Sequence, residues 1–229
     1  MKYSVVIPAA GQGKRMNLKR NKQFLLLENK PVIIHTLEIF QNDDWCEEII
    51  VVANPNEIDE IAQLIHTYGI TKVKRIANGG AERQHSVYNG LKVVSKSEIA
   101  LIHDGARPFV SEDLIHKLVE ETEKSEAAIL AVPIKDTVKE SDGYNISRTV
   151  DRANLWSAQT PQAFALKTIL AAHKWAEKNG FLGTDDASLL EAIQKDVSIV
   201  HGEYFNIKLT TPEDIVFAHS ILQVKRGEK

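Results

Sequence analysis

Apolar runs of strand length alternate along this chain with stretches of helical periodicity. The runs that predict strands are Tyr3–Ile7, Glu48–Ala53, Val73–Ala77, Ile99–His103, Ala127–Pro133 and Val197–Val200. The stretches that predict helices are Val32–Phe40, Glu57–His66, Glu82–Val94, Leu114–Lys124, Leu166–Lys178, Ala187–Gln194 and Ile215–Val224. Strands that alternate with helices favour right-handed βαβ crossovers. We therefore expect an α/β fold with a mostly parallel sheet covered on both faces.

One segment, residues 135–153, interrupts this alternation because it is mostly polar. Two β-favouring stretches, Thr137-Val138 and Ile146–Val150, flank the dipeptide Asp142-Gly143. Asp-Gly between such stretches predicts a β-hairpin. A two-stranded hairpin is marginally stable alone in water. Two interpretations follow: a surface hairpin, or an arm that docks on another subunit.

Composition narrows the classes of function. A chain of 229 residues can bury a full core, so residues 1–229 are predicted to form a single domain that includes the hairpin. The net charge of −3 provides no global cationic field for nucleic acid or an anionic membrane. The single cysteine, Cys46, cannot form an internal disulfide, and Pro8 interrupts the apolar N-terminus. We expect a cytoplasmic protein without a membrane or nucleic-acid partner.

The loop after the first strand has the composition of a nucleotide-binding loop. Gly11 and Gly13 allow close backbone approach, and cations crowd the following segment: Lys14, Arg15, Lys19, Arg20 and Lys22. Backbone N–H groups and cations together suit a polyphosphate. The spacing lacks the second half of a P-loop, and Met16 stands where a dinucleotide fingerprint needs its third glycine. This is a third kind of nucleotide loop.

Further chemistry follows other predicted strands. Asp104 follows a buried strand, where its carboxylate suits Mg²⁺, although Asp also caps turns. Gly79 and Gly80 permit close approach to a flat base, and Ser86 offers a hydroxyl in the next helix. His103 is expected to be a packed or hydrogen-bonded histidine.

Helix-start signals account for two further polar clusters. Thr210-Thr211-Pro212-Glu213-Asp214 predicts a capped helix, which leaves Lys208 as an unexplained cation just before it. Gly183-Thr184-Asp185-Asp186 likewise predicts a start with Thr184 as the cap and two acids in the first turn. Any ligand role for Thr184 or Asp186 is secondary on this reasoning.

Taken in order, these motifs resemble those of the 2-C-methyl-D-erythritol 4-phosphate cytidylyltransferases. They are Pro8-Ala-Ala-Gly-x-Gly-x-Arg-Met, Lys22-Gln-Phe, Gly79-Gly80-x-Glu-Arg, His103-Asp-Gly-Ala-Arg-Pro, Thr149-Val-Asp-Arg, Gln159-Thr-Pro-Gln and Asn206-Ile-Lys. The resemblance runs from Tyr3 to about Gln223, and it implies a Rossmann-like nucleotidyltransferase fold. One departure is Asn21, where the family usually has Pro.

The resemblance implies cytidylyl transfer from CTP to methylerythritol phosphate without a covalent intermediate. It assigns charge stabilisation at the α-phosphate and pyrophosphate to Arg15 and Lys22. Arg152 and Lys208 would hold the incoming phosphate in line. Asp104 would bind Mg²⁺.

The resemblance also assigns the two binding sites. The nucleotide would contact Ala9, Ala10, Gly11, Gly13, Gly79, Gly80, Ser86 and Asp104. The acceptor would contact Arg107, Thr137, Arg152, Thr160, Thr184 and Lys208. Because Thr137 and Arg152 flank the hairpin, the resemblance implies a homodimer in which each arm completes the neighbouring site.

Three alternatives stay open at this point. A pentitol phosphate cytidylyltransferase has the same chemistry, but it usually carries Gly in place of Ala10 and Ser-Val in place of Gly105-Ala106. A sugar-1-phosphate nucleotidyltransferase shares only the first loop. A non-catalytic nucleotide-binding module would not need cations and Asp104 at the transferring phosphate.

Overall fold

The computed structural model describes residues 1–11 and 22–227, with Lys22 described in its backbone alone. The strands are β1 (Tyr3–Pro8), β2 (Leu26–Leu27), β3 (Lys30–Pro31), β4 (Cys46–Ala53), β5 (Val73–Asn78), β6 (Ile99–Ile102), β7 (Ala127–Pro133), β8 (Val138–Ser141), β9 (Ile146–Val150), β10 (Trp156–Ala165) and β11 (Ser198–His201). The helices are α1 (Val32–Asn42), α2 (Ile58–Thr67), α3 (Arg83–Leu91), α4 (Glu112–Ser125), α5 (Leu166–Asn179), α6 (Ala187–Ala192) and α7 (Pro212–Lys225). Every strand and helix predicted from the sequence is present, with its ends shifted by a few residues.

The central sheet contains seven strands of the described chain, in the order β11-β7-β10-β6-β1-β4-β5. β1 pairs in parallel with β4 and β6, as does β5 with β4 and β11 with β7. β10 runs antiparallel between β6 and β7. The predicted α/β fold is confirmed. The sequence did not reveal β10, because polar residues and Pro161 interrupt its apolar pattern.

Both faces of the sheet are buried. Successive side chains of a strand point to opposite faces, so neighbouring apolar residues pack in different clusters. Val5 and Ile7 of β1 pack with Leu37 of α1 in one core cluster. The intervening Val6 packs with Val87 of α3 in a second cluster on the other face. A buried aliphatic side chain contributes about 1.5–3 kcal/mol, so this alternation fixes the register of the central strands.

Capping chemistry predicted the start of one helix correctly and the start of another wrongly. Thr211 is the N-cap of α7, with Pro212 at the first position and Asp214 completing a capping box. The predicted start at Thr184 was wrong, because α6 begins at Ala187 with Asp186 in the cap position. Asp186 is instead drawn into tertiary contacts, described below. Within residues 1–11 and 22–227, no helix is both long and apolar enough to cross a bilayer.

The loops predicted to carry chemistry converge at one edge of the sheet. β1, β5 and β6 all end there, and the chain order reverses on either side of β1. In open α/β sheets, ligands bind at such a reversal. Backbone hydrogen bonds hold the loops: Ala9 N donates to Val52 O at 2.6 Å, and His103 N donates to Val6 O at 3.0 Å.

The polar segment 135–153 forms the predicted hairpin, in which β8 pairs antiparallel with β9. The side chain of Asp142 accepts hydrogen bonds from the backbone N–H groups of Tyr144 and Asn145, and Gly143 has a φ of +99°. Tyr144 at the tip is 96% exposed. We call this hairpin the arm, residues 135–153.

Candidate active site

A cavity of about 580 Å³ opens at the carboxyl ends of β1, β5 and β6. Its lining includes these residues predicted from the sequence: Ala10, Gly11, Gly79, Gly80, Ser86, Asp104 and Lys208. Ala9, which precedes this lining, is fully buried. A cavity of this size is typical of small-ligand sites. The structure therefore brings most of the predicted nucleotide contacts together.

One wall of the cavity depends on close contact between two loops. A Cβ atom on Gly79 would lie 2.6 Å from Ala10 Cβ and 3.2 Å from Ala53 O, so only glycine fits. Gly80 N donates to Ser86 Oγ at 2.9 Å, and that hydroxyl donates to Glu82 O at 3.1 Å. Ser86 therefore fixes the glycine loop in addition to lining the cavity.

Another wall of the cavity is built around the Asp104 carboxylate. Lys208 Nζ lies 2.5 Å from Asp104 Oδ2, and Arg83 Nε lies 3.5 Å from Oδ1. Arg107 Nε is farther away, at 3.9 Å from Oδ2. Three described cations, contributed by separate parts of the chain, therefore surround one carboxylate. We call Asp104, Arg83, Arg107 and Lys208 the charge cluster.

The charge cluster keeps its carboxylate ionised. Burial disfavours the charged form of Asp104, but Lys208 and Arg83 outweigh this effect and hold its pKa below the ordinary value. Burial likewise opposes the charge on Arg83, and the neighbouring Asp186 and Asp104 carboxylates raise the pKa of its guanidinium. The cavity therefore presents fixed charges of both signs near neutral pH.

Two predicted acceptor contacts, Thr160 and Arg107, both contact Asp104. Thr160 Oγ1 accepts a hydrogen bond from Asp104 N at 3.0 Å, and Arg107 Nη1 donates to Asn206 O at 2.6 Å. Asn206 Nδ2 in turn donates to Thr160 O at 2.9 Å. These contacts brace the loop of Asp104 against the segment that carries Lys208.

His103 is a packed histidine, as predicted. Its side chain is fully buried and meets the Phe40 ring edge-on. Nε2 donates to the Arg107 carbonyl at 2.9 Å. Burial lowers the pKa of His103 to about 4, so the ring is neutral near pH 7.

Other predicted residues do not line the cavity of the described chain. Thr137 and Arg152 are exposed at the base of the arm, where the Arg152 guanidinium donates to the Lys135 carbonyl. Thr184 is also exposed, on the loop before α6. Roles for these three residues stay predictions.

The predicted cationic loop falls largely outside the described residues. Gly13 and Arg15 lie in the segment that the structure does not describe. Lys22 begins the short 3₁₀ turn, and only its backbone is described. Their roles also stay predictions.

Sequence reasoning assigned no role to Arg83. Its Nη2 donates to Asp186 Oδ2 at 2.7 Å, while Nε faces Asp104. Gln162 Oε1 accepts hydrogen bonds from the backbone N–H groups of Asp186 and Ala187, both at 3.1 Å. The signal was available, because Arg83 ends the Gly79-Gly80-x-Glu-Arg motif, but no local rule connects it to an acid 103 positions later.

Comparison with known proteins agrees with this geometry. The family model for 2-C-methyl-D-erythritol 4-phosphate cytidylyltransferase, IspD, matches residues 3–224. The chain belongs to this family. A 2-C-methyl-D-erythritol 4-phosphate cytidylyltransferase from Halalkalibacterium halodurans is 55% identical over 225 residues, covering 98% of this chain and 99% of the relative. The enzyme of the same name from Bacillus velezensis is 53% identical over 228 residues, covering 99% of this chain and 98% of that relative.

Solved structures of the IspD family share the fold. The 4-diphosphocytidyl-2C-methyl-D-erythritol synthase from Anaerococcus prevotii superposes with a TM-score of 0.84 at 36% identity, covering 97% of this chain and 98% of that chain. The Thermus thermophilus 2-C-methyl-D-erythritol 4-phosphate cytidylyltransferase gives 0.80 at 32% identity, covering 97% and 100%. The resemblance and the predicted fold are both confirmed.

Proposed function

We propose that the cavity beside Asp104 transfers a cytidylyl group from CTP to 2-C-methyl-D-erythritol 4-phosphate. The products are 4-diphosphocytidyl-2-C-methyl-D-erythritol and pyrophosphate, so the enzyme serves isoprenoid precursor biosynthesis. The observation that carries this proposal is the charge cluster, which lies at the sheet edge where two glycine-containing loops meet. Phosphate-binding cations and an ionised carboxylate are the groups that phosphoryl transfer requires.

The chemistry needs alignment more than it needs a base. An oxygen of the acceptor phosphate attacks the α-phosphorus of CTP, the bond to the bridging oxygen breaks, and its electron pair leaves with pyrophosphate. Neither the nucleophile nor the leaving group must lose a proton. Catalysis therefore consists of positioning and electrostatic stabilisation. Lys208 in the cavity, with Arg15 and Lys22 of the preceding loop, would supply the positive charge.

A divalent cation, Mg²⁺, fits the residues present. Asp104 offers an ionised carboxylate at the cavity edge, and Mg²⁺ is usually held by one or two carboxylates together with substrate phosphates. Bound there, the ion would neutralise charge on the nucleotide phosphates. Without nucleotide, Lys208 Nζ pairs with the Asp104 carboxylate at 2.5 Å. The ion could bind this carboxylate once nucleotide phosphate had drawn the Lys208 ammonium away.

The binding roles follow the walls of the cavity. The nucleotide wall is lined by Ala10, Gly11, Gly79, Gly80 and Ser86. We also assign nucleotide contacts to the buried Ala9 and to Gly13. Arg107 and Thr160 brace the loop on the acceptor side. Thr184 lies on a loop fixed at both ends, because Gly183 N donates to Gln84 Oε1 at 2.8 Å and Asp186 pairs with Arg83.

The arm would complete the acceptor site from a second subunit. Thr137 and Arg152 are both exposed at its base, and its tip residue Tyr144 is almost fully exposed. An exposed hairpin of this kind needs a partner surface for stability. The proposal is therefore a homodimer with exchanged arms. We also place the reaction in the cytoplasm, since the single Cys46 is buried and unbridged.

A panel of substrates tests the proposed function. Pyrophosphate release is followed with CTP, UTP or GTP against methylerythritol phosphate, ribitol phosphate and a sugar 1-phosphate, with and without a chelator. The expected result is release with CTP and methylerythritol phosphate that the chelator abolishes. Equal or faster release with ribitol phosphate would contradict the assigned acceptor.

A further inference from the structure

We infer that Arg83 is a positioning residue, which Asp186 holds in place so that it orients Asp104 for the reaction. The inference rests on the proposed cytidylyl transfer at this cavity. Arg83 contacts two carboxylates from different parts of the fold: Nη2 lies 2.7 Å from Asp186 Oδ2, and Nε lies 3.5 Å from Asp104 Oδ1. The contact to Asp186 is the closer one.

Asp186 is a fixed anchor and has no access to the cavity. Its side chain is 1% exposed. The buried amide of Gln162, on β10, accepts from its backbone N–H, and Gln162 Nε2 donates to the adjacent Asp185 at 2.7 Å. The Asp186 carboxylate therefore cannot move toward a ligand, but it can restrain a guanidinium that reaches it.

This anchor determines how Arg83 meets Asp104. A free arginine beside a carboxylate forms a close bidentate pair. Here Nη2 of Arg83 is hydrogen-bonded to Asp186, and Nε faces Asp104 at the longer distance of 3.5 Å. Arg83 consequently adds positive charge near Asp104 without enclosing the carboxylate oxygens.

Arg83 also connects the two walls of the cavity. It lies one turn before Ser86, which fixes Gly80, and the next residue, Gln84, holds the loop of Thr184 through Gly183. The same guanidinium therefore fixes Asp104, the start of α3 and the loop before α6 relative to one another. Buried ion pairs are seldom stabilising compared with apolar packing, which favours a positioning role over a purely structural one.

Four variants separate these two roles. Arg83→Gln leaves the buried Asp186 carboxylate without its cation, so it should lower the Tm. Asp186→Asn should lower the Tm less, because Arg83 is 32% exposed and still faces Asp104. The double variant Arg83→Gln/Asp186→Asn removes both charges, and its Tm should recover toward that of the wild type. Arg83→Lys keeps the pair with Asp186, but one ammonium cannot also contact Asp104. The matched control, Lys195→Gln/Glu126→Gln, removes an exposed pair away from the cavity.

We expect kcat to fall even in the variants whose Tm is close to that of the wild type. In the double variant and in Arg83→Lys, kcat should fall by about 10- to 100-fold, which is the usual effect of changing a residue that orients a metal ligand. The Kd for CTP, measured by calorimetry without acceptor, should change much less. The control pair should match the wild type. A kcat equal to that of the wild type in Arg83→Lys, or in a double variant with recovered Tm, would overturn the positioning role of Arg83. The proposed function would not be affected. Absence of wild-type transfer to methylerythritol phosphate would overturn the proposed function and the positioning role together.

Discussion

The charge cluster and the arm hold their polar groups in opposite ways. Around Asp104, carboxylate and cations are largely buried and come from segments far apart in the chain. In the arm, contacts are local: Arg148 Nε meets Glu140 Oε2 at 2.5 Å across two paired strands, and both side chains are more than half exposed. The first arrangement is complete within one chain. The second arrangement leaves the arm surface open to a partner.

This contrast predicts that substitutions in the charge cluster and in the arm have different effects. Buried charges interact strongly, and removing one partner is costly. Exposed pairs are screened by solvent and contribute little. We expect changes near the cavity to alter turnover or stability strongly. Changes in the arm should alter the stability of one subunit only slightly, and should alter turnover only through a second subunit.

The largest effect is expected from Arg15→Ala or Lys22→Ala. In the proposed mechanism each removes positive charge that stabilises the transferring phosphates, and losing such a group costs about 10²–10³-fold in kcat. The Tm should hardly change, because neither substitution removes an apolar side chain. Steady-state pyrophosphate release and thermal denaturation measure the two quantities. Turnover close to that of the wild type would remove the altered residue from the mechanism.

Mixing two inactive variants tests whether the arm belongs to the neighbouring site. If the arms are exchanged as proposed, half of the dimers in a mixture of Arg15→Ala and Arg152→Ala subunits are mixed, and each mixed dimer contains one intact site. Turnover should recover to about a quarter of the wild-type value. Each variant incubated alone is the control. No recovery after subunit exchange has been demonstrated by mass spectrometry would show that the site is not shared.

A buried histidine outside the cavity should make folding sensitive to acid. His173 stacks on Tyr88 with ring centroids 5.1 Å apart, and burial lowers its pKa to about 4. The unfolded chain therefore binds a proton between about pH 6.5 and pH 4 that the folded chain excludes. Stability from this group is present above pH 6.5 and is lost as the pH falls, by up to about 3 kcal/mol.

The variant His173→Phe isolates that effect. Phenylalanine keeps an aromatic ring beside Tyr88 but cannot take up a proton. Urea denaturation at a series of pH values should give a shallower loss of stability for the variant. His103 would account for part of the remaining slope, since its pKa is also lowered. Identical slopes for both proteins would exclude His173 as a cause.

A smaller effect is expected from Gly79→Ala. The added Cβ would lie 2.6 Å from Ala10 Cβ, and such overpacking costs about 1–3 kcal/mol. The displaced wall should also weaken CTP binding in a calorimetric titration. The second variant Gly79→Ala/Ala10→Gly removes the clash and should recover part of both losses. Unchanged stability and affinity in the single variant would contradict close contact between the loops.

The smallest effect is expected in the arm. Arg148→Ala removes the pair with Glu140, and exposed pairs are typically worth about 0.2–1 kcal/mol. Urea denaturation of wild type and variant, compared at low and high salt, measures this contribution. A loss of several kcal/mol would show that the arm is integral to the fold of the subunit.

Local pattern was sufficient for most of the fold. Alternating apolar residues located β1, and Asp142-Gly143 located the arm, because both signals act over a few residues. β10 was missed, since its polar residues are explained only by the strands on either side of it. Gly79, Asp104 and Lys208 were found from strand ends and from the resemblance. The pairing of Arg83 with Asp186 was not found, because it depends on tertiary folding.

A crystal structure with bound CTP and Mg²⁺ would show whether the nucleotide phosphates bind at the charge cluster. We expect the phosphates to lie beside Lys208 and Asp104, with the base against Gly79 and Gly80. The Lys208 ammonium should have left the carboxylate to contact phosphate. Phosphates located away from the loop after β1, with the pair between Lys208 and Asp104 unchanged, would contradict this expectation.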